Sequence, residues 1–178
     1  MRADGLENVH LEPVMVPHWV RGQEHAKVIR PTEQELVMLG LGGSIGTPPG
    51  GIEAETFVVG SFDELDSRAH GKIVVYNVPF TTYTQTVRYR TTGAWRAARH
   101  GAVTSLVRSV GPRGARTPHT GAVNYTETDP RIPAAAITVE DAELLQRMQD
   151  RGTPGWVHLE MNAHLLPDAE SANVVGEI

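Results

Sequence analysis

The stretch from Gly71 to Val110 constrains the fold more than any other part of the chain. Lys72 to Tyr76 is a β-branched run entered from a glycine, which predicts a short buried strand. Thr91 to His100 predicts a helix, and its small residues Gly93, Ala94, Ala97 and Ala98 fall where they share a face. Small side chains let a helix axis lie close to a sheet. Gly101 stops the helix, and Ala102 to Val107 begins a second buried strand. The unit is strand, helix, strand.

The rest of the chain supplies further strands around that unit. Val9 to Val16 and Ala26 to Ile29 flank a polar turn at Arg21 to Glu24. Glu35 to Leu39 runs into the glycine-rich Gly40-Leu41-Gly42-Gly43-Ser44-Ile45-Gly46, which is expected to be a tight surface loop. Glu53 to Val59 alternates as a strand does. Ser61-Phe62-Asp63-Glu64 has the capping-box pattern and predicts a short helix ending before Gly71. A long loop is expected from Ser109 to Arg131. Thr138-Val139-Glu140-Asp141 then opens the last helix, with Val139, Ala142, Leu145 and Met148 as its core face. Trp156 to Leu166 and Asn173 to Ile178 read as strands.

With 178 residues the chain can bury a full core, and its 18 glycines and 12 prolines argue for loops and short strands over a helical bundle. The absence of cysteine excludes disulfides and thiolate metal sites. No apolar run is long enough for a bilayer, and Met1 to Asn8 lacks the pattern of a signal peptide. The net charge of −5 hides an asymmetry. Nine cations (Arg68, Lys72, Arg88, Arg90, Arg96, Arg99, Arg108, Arg113 and Arg116) and no acid lie between Ser67 and Thr126. This predicts one positive face. Aromatics are not interleaved with it on a nucleic-acid module, so no nucleic-acid partner is expected.

Gly42-Gly43-Ser44-Ile45-Gly46 satisfies G-x-S-x-G, but a nucleophile elbow needs a helix after the serine, and Thr47-Pro48-Pro49 cannot form one. The glycines of this stretch, Gly40, Gly42, Gly43 and Gly46, are therefore read as structural, together with Ser44. His158, Glu160 and His164 share strand parity. Over one extended strand the two histidines would stand about 20 Å apart, too far for one ion. Asn124-Tyr125-Thr126 is a glycosylation sequon of low specificity. Arg113, Arg116, Pro118, His119, Thr120 and Gly121 lie in the longest loop, where function concentrates, and are the candidate substrate- or cleft-facing residues.

The central unit, with Ile132-Pro133-Ala134-Ala135-Ala136-Ile137-Thr138-Val139-Glu140-Asp141-Ala142, resembles the protease-associated domain. Four further stretches narrow the resemblance: Gly5 to Val14, Pro17 to Gly22, Met38 to Pro48, and Thr117 to Gly121. Together they are similar to the carboxypeptidase Q-like family of zinc exopeptidases. The resemblance implies an α+β fold, with a mixed, partly barrel-like sheet and two or three helices. It divides the chain into a seam strand (1–17), the protease-associated domain (18–166), and a linker with a second seam strand (167–178).

In that family the strand similar to Asn173 to Ile178 leads into a catalytic body with two zinc ions, none of whose motifs lies in these residues. The resemblance thus implies a non-catalytic accessory domain with no cofactor of its own. Its expected partners are the catalytic domain of the same polypeptide, the peptide substrate and a second copy in a homodimer; no membrane is expected. It would cover the cleft and shape substrate access in an enzyme that is secreted, periplasmic or lysosomal. A freestanding peptide- or protein-binding module is the alternative. The two terminal strands, deprived of a larger sheet, are expected to pair with each other.

Overall fold

The computed structural model describes residues 1–114 and 116–178; residue 115, within the Arg113 to Gly121 loop, lies outside the described residues. In chain order the elements are β1 (Glu7–Val20), β2 (Glu24–Arg30), β3 (Gln34–Leu36), β4 (Met38–Gly40), β5 (Ile52–Val59) and β6 (Ile73–Tyr76). There follow α1 (Tyr83–Arg99), β7 (Thr104–Arg108), β8 (Ala134–Ile137), α2 (Val139–Asp150), β9 (Trp156–Met161) and β10 (His164–Glu177). Two compact units result: Arg21–His164, and Met1–Val20 with Leu165–Ile178.

In the larger unit eight strands run in the order β3-β2-β9-β5-β6-β7-β8-β4. The middle, β5 through β8, is parallel, and the flanking pairs are antiparallel. β6 and β8 at its middle are continuous apolar runs, IVVY and AAAI, as strands covered on both faces tend to be. Ile73 and Val75 point to a core shared with Ala142 and Leu145 of α2. Val74 and Tyr76 point the other way, to a core shared with Ala94 and Ala97 of α1. That alternation is the period-two pleat of a strand with one helix on each side.

The sheet nearly closes into a barrel, for a local reason. β3 and β4 are its two edges, yet only Val37 separates them in the chain. The single strand expected over Glu35 to Leu39 is thus two, broken because the Val37 N–H turns aside to the Asp141 carboxylate at 2.9 Å. One edge strand pairs with β2 and the other with β8. Glu24 ties the seam by accepting the Gly40 N–H at 2.9 Å, and Arg21 donates to the Gly40 carbonyl at 3.2 Å. Burial pushes the Glu24 carboxyl above its usual range, against the opposing pull of the Gly40 N–H and Arg21.

Three expectations need correction here. The helix expected at Thr91 begins at Tyr83, with Thr82 as its N-cap, the Thr82 hydroxyl accepting the Gln85 N–H. Ser61 forms no side-chain cap, and the region is two 3-10 turns, Phe62–Glu64 and Ser67–Ala69. The Glu64 carboxylate reaches the Gly60 N–H instead of the Ser61 N–H. The strand expected over Trp156 to Leu166 breaks after Met161, which puts His164 on a different strand from His158 and Glu160.

The smaller unit is the two-stranded sheet of β1 and β10. Asn8, at the start of β1, donates to Glu177, at the end of β10, at 2.6 Å, so the strands run antiparallel, as the terminal segments were expected to pair. Leu11, Met15, Leu165 and Val174 are each more than half exposed on it.

Candidate functional site

The connection from β7 to β8 carries the candidate loop, and the glycine-rich stretch anchors it. The Gly42 N–H donates to the Gly121 carbonyl at 2.8 Å, and the Val123 N–H donates to the Gly42 carbonyl at 2.9 Å. Thr120 Oγ1 donates to the Gly40 carbonyl at 3.2 Å. Two segments eighty residues apart are therefore one structure. Leu41 and Ser44 are both only 2 % exposed, so the stretch is not the surface loop the sequence suggests. The apolar Leu41 draws it into the core around Tyr76 and Ala134. Ser44 Oγ accepts the Ala134 N–H at 2.8 Å and donates to the Ile45 carbonyl at 2.9 Å. A nucleophile must be exposed, and this hydroxyl is committed to holding β8.

The nine cations do not form one positive face. Lys72 pairs with Glu55, Arg68 with Asp66, Arg99 with Asp129, and Arg108 with Glu143. Arg88 and Arg96 lie over aromatic rings, both of them over Phe62. Arg113 pairs with Glu143 and Arg116 with Asp141, so both candidate arginines are folded down onto α2. The acids missing from this stretch are supplied by its neighbours in space.

His119 is the candidate that remains presented outward. Its backbone N–H donates to Ser109 Oγ at 2.9 Å, while Pro118 beside it is buried. Its Nδ1 meets the Val110 carbonyl. A carbonyl cannot donate, so Nδ1 carries the proton and Nε2 of the neutral ring is an acceptor. The ring lies 6.4 Å from that of Tyr83, centroid to centroid.

Behind these rings lies Arg90, 6 % exposed, whose guanidinium is held by neutral oxygens. It donates to Tyr83 Oη at 2.7 Å and to the Thr120 carbonyl at 3.3 Å. A Cβ on Gly121 would fall 2.5 Å from the Arg90 Cζ, so only glycine lets the guanidinium lie against the loop. Tyr83 and Arg90 were not singled out from the sequence. The signal was Thr82-Tyr83-Thr84-Gln85 read as a helix start: it places Tyr83 and Arg90 seven residues, or two turns, apart on one helix face.

Among the described residues no three His, Asp or Glu side chains converge to hold a metal ion. His158 and Glu160 meet at 3.0 Å without a third ligand, so the residues do not fit zinc, which takes at least three protein ligands.

No protein-family model matches the chain. Carboxypeptidase Q of Mus musculus is 54 % identical over 181 residues, covering 100 % of this chain. The chain is similar to carboxypeptidase Q along its whole length. Carboxypeptidase Q of Xenopus laevis is 55 % identical over the same span. The chain covers only 38 % and 39 % of those two proteins. Among solved structures, a peptidase M28 precursor from Shewanella amazonensis superposes with a TM-score of 0.91 at 34 % identity, over 98 % of this chain and 42 % of its own. A zinc aminopeptidase from Bacillus subtilis, at 17 % identity and a TM-score of 0.65, shares the fold over 98 % of this chain and 37 % of its own.

Proposed function

We propose that this chain is the protease-associated domain of a longer zinc exopeptidase, non-catalytic itself, and that its β7–β8 loop faces the cleft of the catalytic body. The observation that carries this reading is similarity to carboxypeptidase Q along the whole chain, with no group of metal-holding side chains among the described residues. Zinc belongs, on this reading, to the rest of the polypeptide. The domain narrows access to the cleft and presents His119 to the peptide. The exposed apolar β1–β10 ribbon contacts the catalytic body and a second copy, and the enzyme works in a secreted, periplasmic or lysosomal setting.

Arg113 and Arg116 are engaged on α2, so the reading rests on His119. The expected effect of His119→Ala in the full-length enzyme is a loss of about tenfold in kcat/KM for a dipeptide, the size of one or two hydrogen bonds. Arg116→Ala should act only through loop order and cost less. Rates within about twofold for His119→Ala would remove the loop from the cleft.

A further inference from the structure

Tyr83 and His119 are each polarised from behind by a contact that fixes what they offer in front. Arg90 donates to the Tyr83 oxygen at 2.7 Å, so that oxygen is an acceptor toward the interior. The phenolic proton then has no acceptor among the described residues and is available to the outside. His119 is the reverse: its Nδ1–H goes to the Val110 carbonyl, leaving Nε2 as an outward acceptor. One ring donates and its neighbour accepts.

Both rings are exposed, Tyr83 by 51 %, and their centroids lie 6.4 Å apart. That is within the reach of one or two residues of extended chain, which rises about 3.3 Å per residue. In an extended chain the N–H and C=O of one residue point to the same side, so a single residue offers the complementary pair.

We propose that Tyr83 and His119 read the backbone of an extended peptide, Tyr83 donating to a carbonyl and His119 accepting from an amide N–H. Arg90 is the positioning residue. It is buried, it holds the Tyr83 oxygen, and through the Thr120 carbonyl and the bare Cα of Gly121 it fixes the His119 loop at the same time. Such a pair recognises main chain and is indifferent to side chains. The ligand class is therefore a peptide of unrestricted sequence, not an anion or a metal.

This inference rests on the proposed cleft-facing role, and its test separates the two. In this chain, nitrogen-15 NMR of His119 at neutral pH should show protonated Nδ1 and bare Nε2; the opposite tautomer overturns the proposal. In the full-length enzyme, Tyr83→Phe removes only the hydroxyl and should lower kcat/KM for a tripeptide about fivefold to tenfold. Substrates N-methylated at each amide in turn provide the decisive readout. One of them should lose the difference between wild type and His119→Ala, because the N–H that His119 reads is gone. If His119→Ala lowers the rate equally with every N-methylated substrate, the loop faces the cleft but does not read the backbone. If neither variant changes the rate by more than about twofold, the cleft-facing role falls as well.

Discussion

At Gly93 a general rule and a local contact oppose each other. Replacing a mid-helix glycine with alanine ordinarily stabilises by about 1 kcal/mol. Here a Cβ would lie 2.6 Å from the Tyr76 ring, whose hydroxyl donates to the Gly93 carbonyl at 2.8 Å. Tyr76 is fully buried and cannot swing away, and overpacking costs about 1–3 kcal/mol. Gly93→Ala should therefore lower the urea midpoint; a midpoint equal to or above wild type would show that the ring yields.

Asp129 gives a pH-dependent counterpart. The Thr126 N–H and then Arg99 hold its carboxyl below the usual carboxylate value. Its contribution is present above the unfolded carboxylate range, about pH 4, and is lost as the pH falls through the lower folded value. Asp129→Asn should thus be less stable than wild type at pH 7, and the two should converge as acid carries the pH below the lowered folded value of Asp129. A gap that persists there would mean the defect is steric.

The helices differ in how much their caps should matter. Thr138 is fully buried and its hydroxyl accepts the Asp141 N–H at 3.1 Å. Thr82 is exposed, and its cap contact to the Gln85 N–H is 3.4 Å. Thr138→Ala should cost about 1–2 kcal/mol and Thr82→Ala about 0.5 kcal/mol, in thermal or denaturant melts. The reverse order would mean that the first turn of α1 is anchored by its cap after all.

These elements also show what the sequence makes legible. The two strands of the strand–helix–strand unit and the junction into α2 are strong local patterns and stand close to where they were expected, while α1 between the strands begins two turns earlier. The split at Val37 was not legible, because its cause is the Asp141 carboxylate more than a hundred residues away. The start of α1 was legible in Thr82 and Gln85, but the polar first turns carry no apolar stripe to draw the eye. That omission hid Tyr83 and Arg90, and with them half of the candidate site.

For the whole molecule the same limit applies to charge. An acid-free stretch in the sequence became a set of ion pairs and ring contacts in space, since Asp66, Glu55, Asp129, Asp141 and Glu143 fold back onto it. Burial, by contrast, divides cleanly along the chain. Every buried hydrophobic residue lies between Ala26 and Ala163, and both core clusters are contained there. The β1–β10 ribbon contributes no residue to either. A two-stranded sheet with no covered face has little stability of its own. The chain trimmed to Arg21–His164 should therefore unfold cooperatively with a midpoint within a few degrees of the intact chain, while amide exchange in β1 and β10 of the intact chain should be fast. The exposed Leu11, Met15, Leu165 and Val174 should at the same time make the intact chain self-associate more than the trimmed one, which sedimentation equilibrium reads directly. A large drop in midpoint on trimming would show that the ribbon stabilises the barrel, and slow exchange in the ribbon would show that something covers it.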